Sequence, residues 1–241
     1  MIGELIATSA LARSDELAMY AVLEQHYHGV SPALFERDLA DKQWIILLRD
    51  QHGVVRGFST LAVSESHAGD ERLYALYSGD TIVDRAHWGS SALARTWITA
   101  VRQLREGLSA PLVWLLICSG YRTYRFLPVF FREFYPRHDQ ATPAHVQAVM
   151  DGLARARYGS AYDAGRGLVR LEHPTPLRED LLSVSGTRRD EHIDCFFRLN
   201  PEHERGDELV CYCPLGDDNL TAAGWRMVRA GSRAAPLEAL P

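Results

Sequence analysis

Between Tyr74 and Leu93 the chain gathers side chains that can move a proton or hold an anion: Tyr74, Tyr77, Ser78 and Asp80, then Trp88-Gly89-Ser90-Ser91-Ala92-Leu93. Asp80 is the one carboxylate of the first group. Read alone, it is either a proton acceptor or an ordinary hydrogen-bonding residue near a strand bend. In the second group the residues from Gly89 to Ala92 are small, so a ligand can approach the backbone, and Ser90 and Ser91 add hydroxyl donors. The same residues also make a serine-rich helix cap with no ligand at all. Further on, Arg122 and Arg125 flank Tyr124. These cations suit a phosphate or an anionic substrate, and are equally well explained as solvated arginines.

Other chemistries lack a constellation. Cys211-Tyr212-Cys213 puts two thiols on one face of a strand, but no second pair stands at zinc-ligand spacing. Cys118 and Cys195 read as small core residues. The ten histidines form no H-E-x-x-H pattern, and no G-x-S-x-G nucleophile elbow occurs. Asn219-Leu220-Thr221 is a formal glycosylation sequon without a secretory context. The aromatic cluster from Tyr121 to Tyr135 reads mainly as core, with room for a few members to line an apolar pocket.

The elements that position these residues follow from periodicity and turn chemistry. Two short helices come first, one capped by Ser14 and one opening at Ser31-Pro32. Strands are predicted at Trp44–Leu48, from Val54 to about Val63, and over Arg72–Asp84, with a polar loop at Ser66–Asp70. A helix over Gly89–Glu106 carries Leu93, Trp97, Val101 and Leu104 on one face, and Gly107 closes it. Leu112–Cys118, apolar on both faces, is predicted as a central strand flanked by parallel neighbours. A short helix is expected from Val129 to Tyr135, and another over 142–158 with Thr142 as its cap. Leu168–Leu171, Ile193–Leu199 and Glu208–Cys213 are read as strands.

Composition bounds the rest. The 241 residues are 46% hydrophobic and 24% charged, an ordinary globular balance. The net charge of −5 is spread along the chain, which argues against nucleic acid as a partner. The longest apolar stretches fall far short of the roughly 20 residues needed to span a bilayer, and no targeting segment is visible. A soluble, cytoplasmic protein without a membrane partner or a metal is therefore expected. A single domain is expected over 1–229, with a core at about 40–136, a C-terminal elaboration at 142–229 and a mobile tail at 230–241.

The segment Val54 to Cys118 resembles the core of the GNAT superfamily of acyl-CoA-dependent N-acyltransferases. The likeness lies in the order of elements: a hairpin with Val55-Arg56-Gly57-Phe58, a strand ending Gly79-Asp80-Thr81-Ile82-Val83-Asp84, a loop, a long helix and an apolar strand. It covers roughly residues 40–136. It implies a mixed α/β fold, a mostly antiparallel twisted sheet with helices on both faces. It also implies that the strand before the long helix splays from its neighbour, so that the peptide-like arm of acetyl-CoA or another acyl-CoA pairs with it as an extra strand would. Ile82 and Val83 then supply the strand contacts, while Gly89, Ser90, Ser91, Ala92 and Leu93 hold the pyrophosphate at the helix N-terminus.

The family's loop, Gln/Arg-x-x-Gly-x-Gly/Ala, fits neither the register that starts at Arg85, with Trp88 and Ser90 at the small positions, nor the one that starts at Trp88, with Ser91 and Leu93 there. Its usual carboxylate base maps onto Asp80, acting through water. Its thiolate-protonating tyrosine falls on Phe131, which has no proton to give, so Tyr124 is the substitute. The acceptor implied is an amine of a small molecule or peptide. A longer acyl-CoA, a carrier-protein thioester, and a catalytically silent binding domain are the alternatives.

Overall fold

Leu112–Cys118 lies in the middle of the structure, because only a strand covered on both faces can bury so unbroken an apolar run. The computed structural model describes residues 1–178 and 190–231. In chain order these hold β1 (Ile2–Ala7), α1 (Arg13–His26), α2 (Pro32–Ala40), β2 (Trp44–Arg49), β3 (Val55–Ala68) and β4 (Glu71–Val83). Then come α3 (Ala92–Glu106), β5 (Leu112–Cys118), the short α4 (Tyr121–Tyr124) and α5 (Phe126–Phe130), and α6 (Ala144–Tyr158). The last described elements are β6 (Tyr162–Asp163), β7 (Leu168–Val169), α7 (Glu191–Leu199), β8 (Glu208–Pro214) and α8 (Ala222–Gly231).

The strands form one sheet in the order β1-β2-β3-β4-β5-β8-β7-β6. Every pairing is antiparallel except that of β4 with β5. Alternation of side chains then divides the core in two. On one face Trp97, Ile98, Val101 and Leu104 of α3 pack on Trp114 and Leu116 of β5, with α4, α5, α7 and α8 beside them. On the other, Met19, Leu23, Phe35 and Leu39 of α1 and α2 cover Phe58 and Ile82. Beside them Val146, Met150 and Leu153 of α6 cover Ala75, Leu115 and Val210. This is the mixed, mostly antiparallel fold expected, with helices on both faces.

Several local expectations are corrected. Ile193–Leu199 is helix, not strand. Asp190 caps it by accepting from the amides of His192 and Ile193, and Ile193 and Phe196 turn inward one helical turn apart. A short apolar run does not separate the two periods, and the cap decides. The helix expected at Val129–Tyr135 ends instead at Phe130, because Pro128 lies in the first turn of α5, where its missing N–H is harmless. Phe131 and Tyr135 leave as bridges to Leu220 and Tyr212. The loop expected at Ser66–Asp70 is strand as far as Ala68; only Gly69 and Asp70 turn, with Gly69 at φ +62°. Helix α3 begins at Ala92 rather than Gly89, and Ala12 and Pro143 stand at the cap positions given to Ser14 and Thr142. Strand β1 was not foreseen, and β7 is shorter than its apolar run. Most of the expected mobile tail lies outside the described residues.

Candidate active site

The site begins with a change of register in β4. From Ser78 to Thr81 this strand advances three residues while β3 advances only two, from Leu61 to Ser59. One extra residue, in the Gly79-Asp80 step, bulges opposite Thr60. A bulge bends its strand and increases its local twist. Pairing with β5 ends at the same place: the last paired residues are Ser78 and Leu116, and β4 continues to Val83 without a neighbour on that side. The bulge also reverses which backbone groups face the gap. Asp84 donates its amide to Arg56 O at 2.7 Å, so by the antiparallel alternation Ile82 bonds towards β3 while Thr81 and Val83 turn their amides and carbonyls to the opening. Of the two strand contacts predicted, Val83 therefore stands at the gap and Ile82 is committed to β3, with Thr81 in its place.

Two cavities meet at this gap, one on each face of the sheet. The first, about 170 Å³, is walled by Trp88, Leu93, Trp97, Trp114, Tyr121 and Phe126 and is mostly apolar. The second, about 480 Å³, lies between α1, α2 and α6 and is more polar and acidic, with Asp38, Asp80 and Glu208 among its walls. Tyr27, Thr81 and Thr123 line both. Tyr27 closes α1 and is held there by the segment 176–178: it bridges to Leu177, and His28 donates its amide to Pro176 O.

The acidic cavity contains charges that are poorly matched. Lys42, almost fully buried, donates to Asp38 Oδ2 at 2.7 Å and to Asp38 O at 2.9 Å. The side chains of Asp80 on β4 and Glu208 at the start of β8 make no hydrogen bond or ion pair among the described residues. Burial pushes the Asp80 carboxyl up to about 7, helped by the charge of Asp38 and opposed by Lys42. Burial also pushes Glu208 up to about 8, with Asp80 and Asp38 adding to it. The Tyr27 hydroxyl is raised by burial first and by these two carboxyls next.

On the other side, the 88–93 loop is partly occupied by its own groups. Ser90 donates its amide to His87 O, and Ser90 Oγ accepts the amide of Ala92 at 3.2 Å. Gly89, Ser90 and Ser91 are exposed, Ala92 is buried and Leu93 reaches the apolar cavity. Trp88 Nε1 donates to Val83 O at 2.8 Å, and the Arg122 guanidinium lies over the Trp88 ring at 3.9 Å. Arg125 pairs with Asp190 at 3.1 Å. The loop thus offers a backbone surface and a nearby cation to an anion, although one gap-facing carbonyl is already taken.

Tyr124 is a correction. Its side chain is fully buried, lines neither cavity and donates to Pro136 O at 2.9 Å. Its hydroxyl cannot reach a leaving group in the gap. Tyr124→Phe is expected to cost about 1 kcal/mol in a denaturant titration, the net worth of one hydrogen bond, and to leave turnover unchanged. The residues that the sequence reading missed, Tyr27, Lys42 and Glu208, come from three distant elements. Only Glu208 gave a signal: it shares a strand face with Val210 and Tyr212, where a carboxylate is out of place.

No protein-family model matches the chain, and no curated protein matches it. Among solved structures it is similar to a GNAT family N-acetyltransferase of Escherichia coli in complex with CoA: 15% identity, 52% of this chain, 68% of that one, TM-score 0.38. Glucosamine-6-phosphate N-acetyltransferase of Arabidopsis thaliana aligns at 15% identity over 49% of this chain and 83% of that one, TM-score 0.35. A probable N-acyltransferase of Enterococcus faecalis aligns at 10% identity over 56% of this chain and 33% of that one, TM-score 0.41. This chain thus spans about a third of the Enterococcus protein. Likenesses at this level say nothing of substrate or of residue roles. Among the described residues no group of histidine, cysteine or acidic side chains is placed to hold a metal ion, and no helix is long and apolar enough to cross a membrane.

Proposed function

We propose that the protein is an N-acyltransferase that moves an acyl group, acetyl in the simplest case, from an acyl-CoA to an amine. The observation that carries this reading is the gap between β4 and β5, which joins an apolar cavity to an acidic one across the sheet. A thioester arm lying in the gap meets the amides and carbonyls of Thr81 and Val83, as an added strand would. The apolar cavity receives the acyl end. The acidic cavity receives the acceptor, which reaches the thioester from the opposite face.

The chemistry follows from the same geometry. An amine with a pKa of about 10 arrives as an ammonium and must lose a proton before it attacks. Asp80, with its carboxyl held near neutrality, takes that proton. As the C–N bond forms, the Val83 amide donates to the thioester oxygen, which gains negative charge. The C–S bond then breaks, and the thiolate collects a proton from Tyr27, which lines both cavities. A second proton leaves the nitrogen as the amide forms, so that the net reaction releases amide, free thiol and one proton. The phosphates of the donor lie at Gly89–Leu93, with Arg122 close by.

Two measurements test this. Purified protein given acetyl-CoA and longer acyl-CoAs with a panel of amines should release free thiol. CoA should also raise the melting temperature, and Ser91→Glu, which sets a carboxylate where the pyrophosphate belongs, should abolish that shift while the protein stays folded. A shift that survives in Ser91→Glu would move the phosphate site elsewhere. CoA binding with no turnover from any donor would replace the enzyme by a silent binding domain.

A further inference from the structure

We infer that the acceptor is a small amine carrying a second positive charge, and that Glu208 is the residue that selects it. This deepens the acyltransferase reading and rests on it. The cavity on the acceptor side, at about 480 Å³, is within the range of sites for small molecules. Its walls hold Asp38, Asp41, Asp80, Glu172 and Glu208 against Arg37, Lys42 and Arg157. Arg157 lies over the Tyr77 ring at the rim, and Lys42 is already neutralised by Asp38. Of the four carboxyls without a partner, Asp41 and Glu172 are exposed, whereas Asp80 and Glu208 are half-buried and stand on the strands to either side of β5. Where the strands are paired, two strand positions amount to roughly 10 Å between backbones, and the parting of β4 from β5 beyond Ser78 widens this. An amine at Asp80, beside the gap, therefore leaves Glu208 within reach of a second cationic group a few bonds away.

A second feature lies beneath the Gly79 wall of the same cavity. Thr60 is 0% exposed and its hydroxyl has no hydrogen-bond partner. It is aimed at Gly79, where a Cβ would come within 2.5 Å of it and within 2.8 Å of Lys42 Cε. That hydroxyl lies behind Gly79 next to Lys42 and does not itself line the cavity. Asp80 and Glu208 do line it, half-buried and without a side-chain partner, and carboxyls held partly out of water are seldom left unmatched. They fit a ligand that brings donors and positive charge. A neutral or anionic acceptor would leave both unmet.

The experiment compares butane-1,4-diamine with butylamine, by calorimetry without donor and by turnover with acetyl-CoA. The diamine should bind at least about tenfold more tightly, the scale of one hydrogen bond to a charged group. Glu208→Gln should erase that difference. Binding should also release protons near pH 7, because an arriving cation ionises Asp80 and Glu208; Asp38, Lys42, Tyr27, Tyr158 and Arg157 face the same space and are included in that balance. Proton release is read on the unaltered protein, so it does not depend on the variant folding. Equal affinity for the two amines, with no effect of Glu208→Gln, would overturn the inference and leave the acyltransferase intact. Diamine binding that depends on Glu208, with no thiol release from any donor, would keep the cation site and overturn the acyltransferase.

Discussion

Asp80→Asn is expected to lower kcat/KM for thioester aminolysis by about 10²–10⁴-fold, the range of general base catalysis, while the protein becomes more stable. Both effects have one cause. Asp80 is half-buried on the acceptor face of the gap, and loss of water, helped by the charge of Asp38, pushes its pKa up to about 7. As a base it works only when ionised, so the rate should rise with pH through about 7. In Asp80→Asn that limb should vanish and leave the steeper dependence of the amine itself, so that the loss is greatest at low pH. Stability runs the other way. The native state holds the proton to about pH 7, whereas an unfolded aspartate releases it near 3.9. Between these values the native state binds more protons, so stability declines as pH rises, and Glu208 extends the decline to about pH 8. Asparagine carries no such charge, and its melting temperature should be flatter with pH and higher near neutrality. A pH–rate profile with parallel thermal melts checks both. A variant with unchanged rate and no gain in stability would remove Asp80 from the mechanism.

Trp97→Ala is expected to cost about 3–5 kcal/mol, the usual range for removing a large buried aromatic. Trp97 is 2% exposed on α3, and its ring lies 4.2 Å from that of Trp114, with Phe126 and Phe131 edge-on at 5.4 and 6.4 Å. Trp114 in turn donates to Ser78 Oγ at 2.8 Å, at the last paired residue of β4 before the strands part. Trp97 therefore braces the strand junction and forms a wall of the apolar cavity. Its loss should enlarge that cavity and shift donor preference from acetyl-CoA towards longer acyl-CoAs. Denaturant titration measures the first effect, and relative kcat/KM for donors of increasing chain length measures the second. A destabilised variant with unchanged chain-length preference would separate the acyl group from this cavity.

Local chemistry determined a good deal of this protein without help. The unbroken apolar run Leu112–Cys118 could only be a covered central strand. The spacing of Trp97, Val101 and Leu104 required a helix over the sheet, and Ser31-Pro32 opened α2 as read, with Ser31 Oγ accepting the Leu34 amide. Asp80 and the small residues after Trp88 were visible because their types stand out in their own segment. Short runs such as Ile193–Leu199 were misread, since seven apolar-rich residues satisfy both periods until a cap or a packing partner chooses. The tertiary structure alone decided which groups share a site. Tyr27, Asp80 and Glu208 are nearly two hundred residues apart at the extremes, and no local pattern links them. It also withdrew Tyr124, whose sequence position beside the cleft says nothing of the direction in which its hydroxyl points. Periodicity and caps act over one or two turns of chain. Burial, which raised the pKa of both carboxyls, is a property of what the whole sheet brings together.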